Sequence, residues 1–193
     1  RCSNCSTKIS PRYPLVEFLS AIVTFLCINE FGWTLHGASA VILSYVLISL
    51  ACIDYESGLL PDSITIPFLW VGLILNYFDA ITSFEKAFWG ALFGYLILWA
   101  VYQGFRLLTK KEGMGFGDFK MLAMLGAWLG AVSIPAIIMI SSISCLILVS
   151  FLSLKGRDLT QPVSFGPFLA FAGFTLIFWG EELSSLYLNG VIS

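Results

Sequence analysis

Of the chain's 193 residues, 58% are hydrophobic and only 11% charged, with a formal net charge of −2 and a mean hydropathy of +0.89. A soluble domain carries about 25% charged residues, so water is excluded as the solvent for most of this length. No basic stripe offers the electrostatic footprint of a nucleic-acid partner.

In chain order, residues 1–9 are polar, open with Arg1 rather than Met and contain Cys2 and Cys5. They make no signal peptide, and the expectation is a trimmed N-terminus. The CxxC spacing of Cys2 and Cys5 is that of one half of a four-cysteine zinc site, whose second half the sequence does not supply; the alternative is a pair of reduced thiols. Uncharged runs follow at 18–29, 31–53, 63–78, 87–105, 121–154 and 159–180. A spanning helix needs about 20 apolar residues, and the 34-residue run is long enough for two. The sequence therefore predicts an all-α, multi-pass transmembrane bundle of seven helices, near 15–31, 38–54, 63–78, 87–105, 118–131, 133–154 and 162–180.

Positive charge is retained on the cytoplasmic side of a membrane. One set of alternate helix ends holds Arg1, Lys8, Arg12, Arg106, Lys110, Lys111, Lys120, Lys155 and Arg157, and the other only Lys86. That bias predicts a cytoplasmic N-terminus, with 54–62, 106–118 and 155–161 on the same side.

Acids near membrane depth are costly and stand out as functional candidates. The segment DYESGLLPD (54–62) joins the second and third predicted helices, and EGMGFGDFK (112–120) opens the fifth, on the same face. Asp62 follows Pro61 and is placed to cap the third helix. Glu56 reads as a solvated loop acid. Asp54 closes an apolar helix, where the dipole disfavours its charge, and Asp118 opens one, where the dipole favours it. The pair thus offers one acid predisposed to keep a proton and one predisposed to lose it, as an aspartyl protease requires. Helix capping is the structural alternative for Asp118. Alternating Gly113, Gly115 and Gly117 leave a bare backbone that an extended peptide can approach, which marks Gly115, Phe116 and Gly117 as a substrate subsite. Lys120 either tunes the acids or holds the cytoplasmic boundary, and Ser164, Gly166 and Pro167 either line the substrate path or form a turn. His36 lies toward the opposite end without a serine motif, against a serine protease.

Together DYESGLLPD, GMGFGDFK (113–120) and VSFGPFLAFAG (163–173) resemble the bacterial type IV prepilin peptidase family, GxGD-type intramembrane aspartyl proteases grouped with the archaeal preflagellin peptidases. CSNCSTKISPRYPLVEFLSA (2–21) is similar to the second half of that family's four-cysteine loop and the helix after it. The resemblance implies that Asp54 and Asp118 are catalytic, that proteolysis needs no cofactor, and that prepilins and type II secretion pseudopilins lose their basic leaders at the cytoplasmic face of the bacterial inner membrane. It divides the chain into a cytoplasmic loop remnant, 1–13, and a protease domain, 14–193, surrounded by lipid. Zinc at Cys2 and Cys5, and methyl transfer from S-adenosylmethionine, are expected only where upstream residues are present. A proton- or cation-coupled transporter is the competing class, though no inverted repeat is visible and both acids fall at one face.

Overall fold

The computed structural model describes residues 12–110, 115–155 and 163–192, and every regular element among them is helical. The helices are α1 (Arg12–Phe31), α2 (Leu35–Ser57), α3 (Asp62–Tyr77), α4 (Phe84–Thr109), α5 (Phe116–Leu129), α6 (Ile134–Leu154) and α7 (Gly166–Ile192), with one 3-10 turn, Ala131–Ser133, between α5 and α6. The expected helices are all present. Among the described residues, four spans are long and apolar enough to cross a membrane: Tyr13–Phe31, Leu35–Ser57, Phe84–Thr109 and Ala131–Leu154. Helix α3 and the Gly166–Gly180 part of α7 are shorter apolar helices.

Helix α5 is as short as the sequence predicts for the fifth helix. Its 14 residues extend only about 21 Å at ~1.5 Å per residue, against a hydrocarbon core about 30 Å thick. From Asp118 to Leu129 every residue except Lys120 is buried, because α3, α4 and α7 all pack on it. It is the hub of the bundle rather than a lipid-facing span.

Small residues let the backbones come this close, since lipid leaves packing and internal hydrogen bonds to hold helices together. Gly90 and Gly94 of α4 form a GxxxG pair. A Cβ at Gly90 would run into the Gly126 carbonyl of α5, and one at Gly94 would lie 2.6 Å from the Leu122 carbonyl oxygen. On the α3 side, the Trp128 ring fills the space a Gly72 side chain would need, while its Nε1 donates to the Phe68 carbonyl at 2.7 Å. Buried Asn76, at the far end of α3, donates to the carbonyls of Ala127 and Trp128 at 2.9 Å each. Its Oδ1 accepts the N–H groups of Ile81 and Thr82 at 3.0 and 3.1 Å. All four hydrogen-bonding positions of that amide are used, so the end of α5 is tied to the α3–α4 turn.

Candidate active site

Asp54 stands in the last turn of α2. The helix runs three residues past it to Ser57, so Asp54 is not the terminal residue the sequence suggested. Gly58, at φ 66°, ends the helix in the left-handed conformation that glycine adopts without strain. Its N–H donates to the Asp54 carbonyl at 2.8 Å, the single 5→1 bond of an αL cap. The DYESG spacing is therefore the distance from the fourth-last helical residue to its capping glycine.

Asp54 is 4% exposed, and it is paired with two residues that the sequence marked only as a substrate path or a turn. The backbone N–H of Gly166, first residue of α7, donates to Asp54 Oδ2 at 2.9 Å, and the Ser164 hydroxyl donates to the Asp54 carbonyl at 3.0 Å. Asp54 caps α7 from a different helix. Local spacing holds no reason to assign this structural role, because the two positions lie 112 residues apart. The available signal was Gly166 itself, a glycine at a helix start where most residues would serve.

Asp118 is 8% exposed and sits three positions after Gly115, the N-cap residue of α5. Its carboxyl is hydrogen-bonded to the Gly115 backbone N–H, the reach of an N3 acid back to the cap residue in half of a capping box. Each acid thus takes the amide of a glycine at a helix start. The division of labour expected from the two helix ends is not reproduced, since both carboxyls are served by a backbone donor.

These two capping roles do not require the acids to be neighbours, but the fold makes them so. The carboxyls of Asp54 and Asp118 lie close enough to interact electrostatically. Their segments also touch. A Cβ at Gly117 would sit 2.8 Å from Leu60 Cβ, so the turn opening α5 rests on the loop that follows Asp54. Lys120 Nζ pairs with Asp62, 2.7 Å from Oδ1 and 2.6 Å from Oδ2, tying the start of α5 to the start of α3. Lys120 is committed to that ion pair. The α3 N-cap position is taken by Pro61 without a side-chain cap, so Asp62 does not serve as the expected cap.

The proposed subsite changes in character. Gly115 is extended, at φ −77° and ψ 144°, whereas Phe116 and Gly117 already belong to the first turn of α5. The bare side of Gly117 faces Leu60, so a continuous extended backbone from Gly115 to Gly117 is not available. Phe116 is 53% exposed at this rim and packs tilted against Tyr102 and edgewise on Phe119, with ring centroids 5.3 and 5.5 Å away. Gly113 lies outside the described residues, as do Cys2 and Cys5 with the zinc expectation attached to them. Among the described residues no group of three His, Cys, Asp or Glu is placed to hold a metal ion. His36 stacks on Phe31, with ring centroids 4.4 Å apart, at the opposite end of α2 from Asp54.

Comparison with known proteins places these motifs in one family. Residues 41–150 match the type IV leader peptidase family, and residues 1–31 match the bacterial peptidase A24 N-terminal domain. The chain is similar to the prepilin leader peptidase/N-methyltransferase of Stutzerimonas stutzeri, at 43% identity over 98% of this chain and 66% of that protein. The proteins of the same name from Aeromonas hydrophila and Xanthomonas campestris pv. campestris are 42% and 45% identical, over 100% and 94% of this chain and 67% and 63% of theirs. The chain therefore spans about two thirds of the length of these curated relatives. No solved structure matches it. With a family model covering more than half of the chain and relatives above 40% identity along nearly all of it, the chain belongs to the type IV leader peptidase family.

Proposed function

We propose that this chain carries the proteolytic centre of an intramembrane aspartyl endopeptidase, with Asp54 and Asp118 as the catalytic pair. The observation that supports this most is the meeting of two buried carboxyls from α2 and α5, close enough to feel each other's charge, in a member of a leader peptidase family. One carboxylate takes a proton from water as that water attacks the scissile carbonyl, and the other, protonated, donates to the carbonyl oxygen. Like charges within reach of each other are not both carried at low cost, which favours a single proton held by the pair. Asp54 Oδ2 is already an acceptor for Gly166, so Oδ1 is the oxygen left to hold a proton or meet water.

The substrates proposed are prepilins and type II secretion pseudopilins, cut at the cytoplasmic face of the bacterial inner membrane. The segregation of Lys and Arg toward the end of the bundle that holds both acids supports this orientation, and it suits a substrate whose basic leader stays inside. Phe116 and Gly115, at the rim beside Asp118, are proposed to meet the peptide flanking the cut. Residues 14–193 are proposed as the protease domain, with 1–13 as a cytoplasmic loop whose Cys2 and Cys5 supply half of a zinc site. The relatives' names join the peptidase to an N-methyltransferase; S-adenosylmethionine would supply the methyl group for such a step, and no residue of this chain is assigned to it.

The test is cleavage of a prepilin by purified protein in detergent or proteoliposomes. Asp54→Asn and Asp118→Asn should each lower the cleavage rate by about 1,000-fold or more, since the two acids act as a unit. Processing at the unsubstituted rate by either variant would remove that residue from the mechanism. Proton flux without cleavage would transfer the chain to the transporter class.

A further inference from the structure

Helix α7 begins in an unusual way. Of the first N–H groups of a helix, none has a partner one turn earlier, and each needs another acceptor. Here Pro167 has no N–H, and the N–H groups of Phe168 and Leu169 both donate to the Phe165 carbonyl, at 3.1 and 3.2 Å. The Gly166 N–H is the remaining donor of this turn, and it is given to Asp54 Oδ2. No side chain fits at this position: a Cβ on Gly166 would lie 2.5 Å from Asp54 Oδ2, 2.9 Å from its Cγ and 3.1 Å from its Cβ. Seven residues on, and so on the same helix face, a Cβ on Gly173 would lie 2.5 Å from Leu125 Cδ2 and 3.1 Å from Leu47 Cδ1. Two glycines, two turns apart, seat α7 directly against the helices that carry the two acids.

We propose that Gly166 and Ser164 are positioning residues for Asp54: the start of α7 fixes the plane of the Asp54 carboxyl by holding Oδ2 and the residue's own carbonyl, and so presents Oδ1 to the reaction. This rests on Asp54 being a catalytic acid. The two hydrogen bonds act on one residue from one strand of chain. The Gly166 amide fixes where the carboxyl points, and the Ser164 hydroxyl fixes the backbone from which it extends. The VSFGP segment thereby has a purpose that a helix-leading turn does not require, since an ordinary N-cap would satisfy α7 with a side chain of its own.

The experiment compares cleavage kinetics and thermal unfolding for Gly166→Ala, Ser164→Ala, Ser164→Thr and Asp54→Asn. A displacement of about 1 Å at a reacting group costs on the order of 100-fold, so Gly166→Ala should lose about that much in kcat with KM within about twofold of the unsubstituted protein. Ser164→Ala removes one hydrogen bond of about 1 kcal/mol and should lower kcat about fivefold, and Ser164→Thr, which keeps the hydroxyl, should restore it. Wild-type kcat in Gly166→Ala overturns the proposal. Should Gly166→Ala fail to fold, Ser164→Ala decides: unchanged kcat there, or equal loss in Ser164→Thr, overturns it as well. Asp54→Asn separates the two readings, because its amide oxygen still accepts from Gly166 and should leave the unfolding temperature near that of the unsubstituted protein. A folded, inactive Asp54→Asn beside a fully active Gly166→Ala would sink only the positioning role. An active Asp54→Asn would sink the catalytic assignment itself.

Discussion

Gly117 shows how a motif residue is fixed by the place it occupies rather than by chemistry of its own. Its neighbour in space is Leu60, so the glycine that precedes Asp118 lets the start of α5 settle on the loop following Asp54. A methyl group there would push the two acid-bearing segments apart. Gly117→Ala is therefore expected to lower prepilin cleavage on the order of 100-fold by misplacing Asp118. Leu60→Gly, combined with it, should recover part of that loss by removing the Cβ that the new methyl group would meet, and steady-state kinetics of the single and double variants read the coupling. No recovery in the double variant would mean that Gly117 serves through something other than this contact. The Lys120–Asp62 ion pair bridges the same two segments, but with side chains 30% and 55% exposed it contributes at most about 1 kcal/mol. Close packing, and not this charge pair, holds the segments together.

Among the helices, α4 and α5 make the tightest crossing, and glycines permit it. Gly90 and Gly126 lie backbone against backbone, and each would strike the other's carbonyl if it carried a Cβ. Gly104, on the same helix α4, has nothing within 4 Å of the position its Cβ would take. The two substitutions to alanine should therefore have opposite signs. Gly104→Ala should raise stability by about 0.5–1 kcal/mol, the ordinary helix preference for alanine. Gly90→Ala should lower it by about 2 kcal/mol or more through overpacking. Thermal unfolding in one detergent measures both, and stabilisation by Gly90→Ala would refute the close crossing. Because α5 carries Asp118 at one end and is clasped by Asn76 at the other, a shift at this crossing is transmitted to the acids through a short, fully packed helix.

For the whole molecule, the ends of α2, α4 and α6 and the starts of α3, α5 and α7 alternate, and the acids at Asp54 and Asp118 share one end. The positive charges gather at that end too, which predicts its side of the membrane. Leu59, 71% exposed, lies at the acid-bearing end, and Trp33, 91% exposed, lies in the α1–α2 turn at the other. With the native cysteines replaced by serine, Trp33→Cys should react with a membrane-impermeant thiol reagent applied to intact spheroplasts, and Leu59→Cys should react only after lysis. The opposite pattern would put the candidate site on the outer face and remove the proposed orientation.

The sequence by itself determined what depends on composition and local spacing: membrane-length helices from long uncharged runs, their boundaries within a few residues except at the end of α7, which runs on from the expected 180 to Ile192, and the two aspartates through the segments that carry them. Hydrophobicity and helix-ending glycines act over a few turns of chain, so a linear reading captures them. Only the tertiary structure decided which helix is enclosed, and what Asp54, Gly117, Lys120 and Gly166 touch. Those contacts join residues about 60 to 110 positions apart, and periodicity holds no information about partners at that distance. Asp54 shows the difference: its place near the end of α2 was legible from the residues around it, whereas its hold on the start of α7 exists only because the bundle folds the chain back on itself.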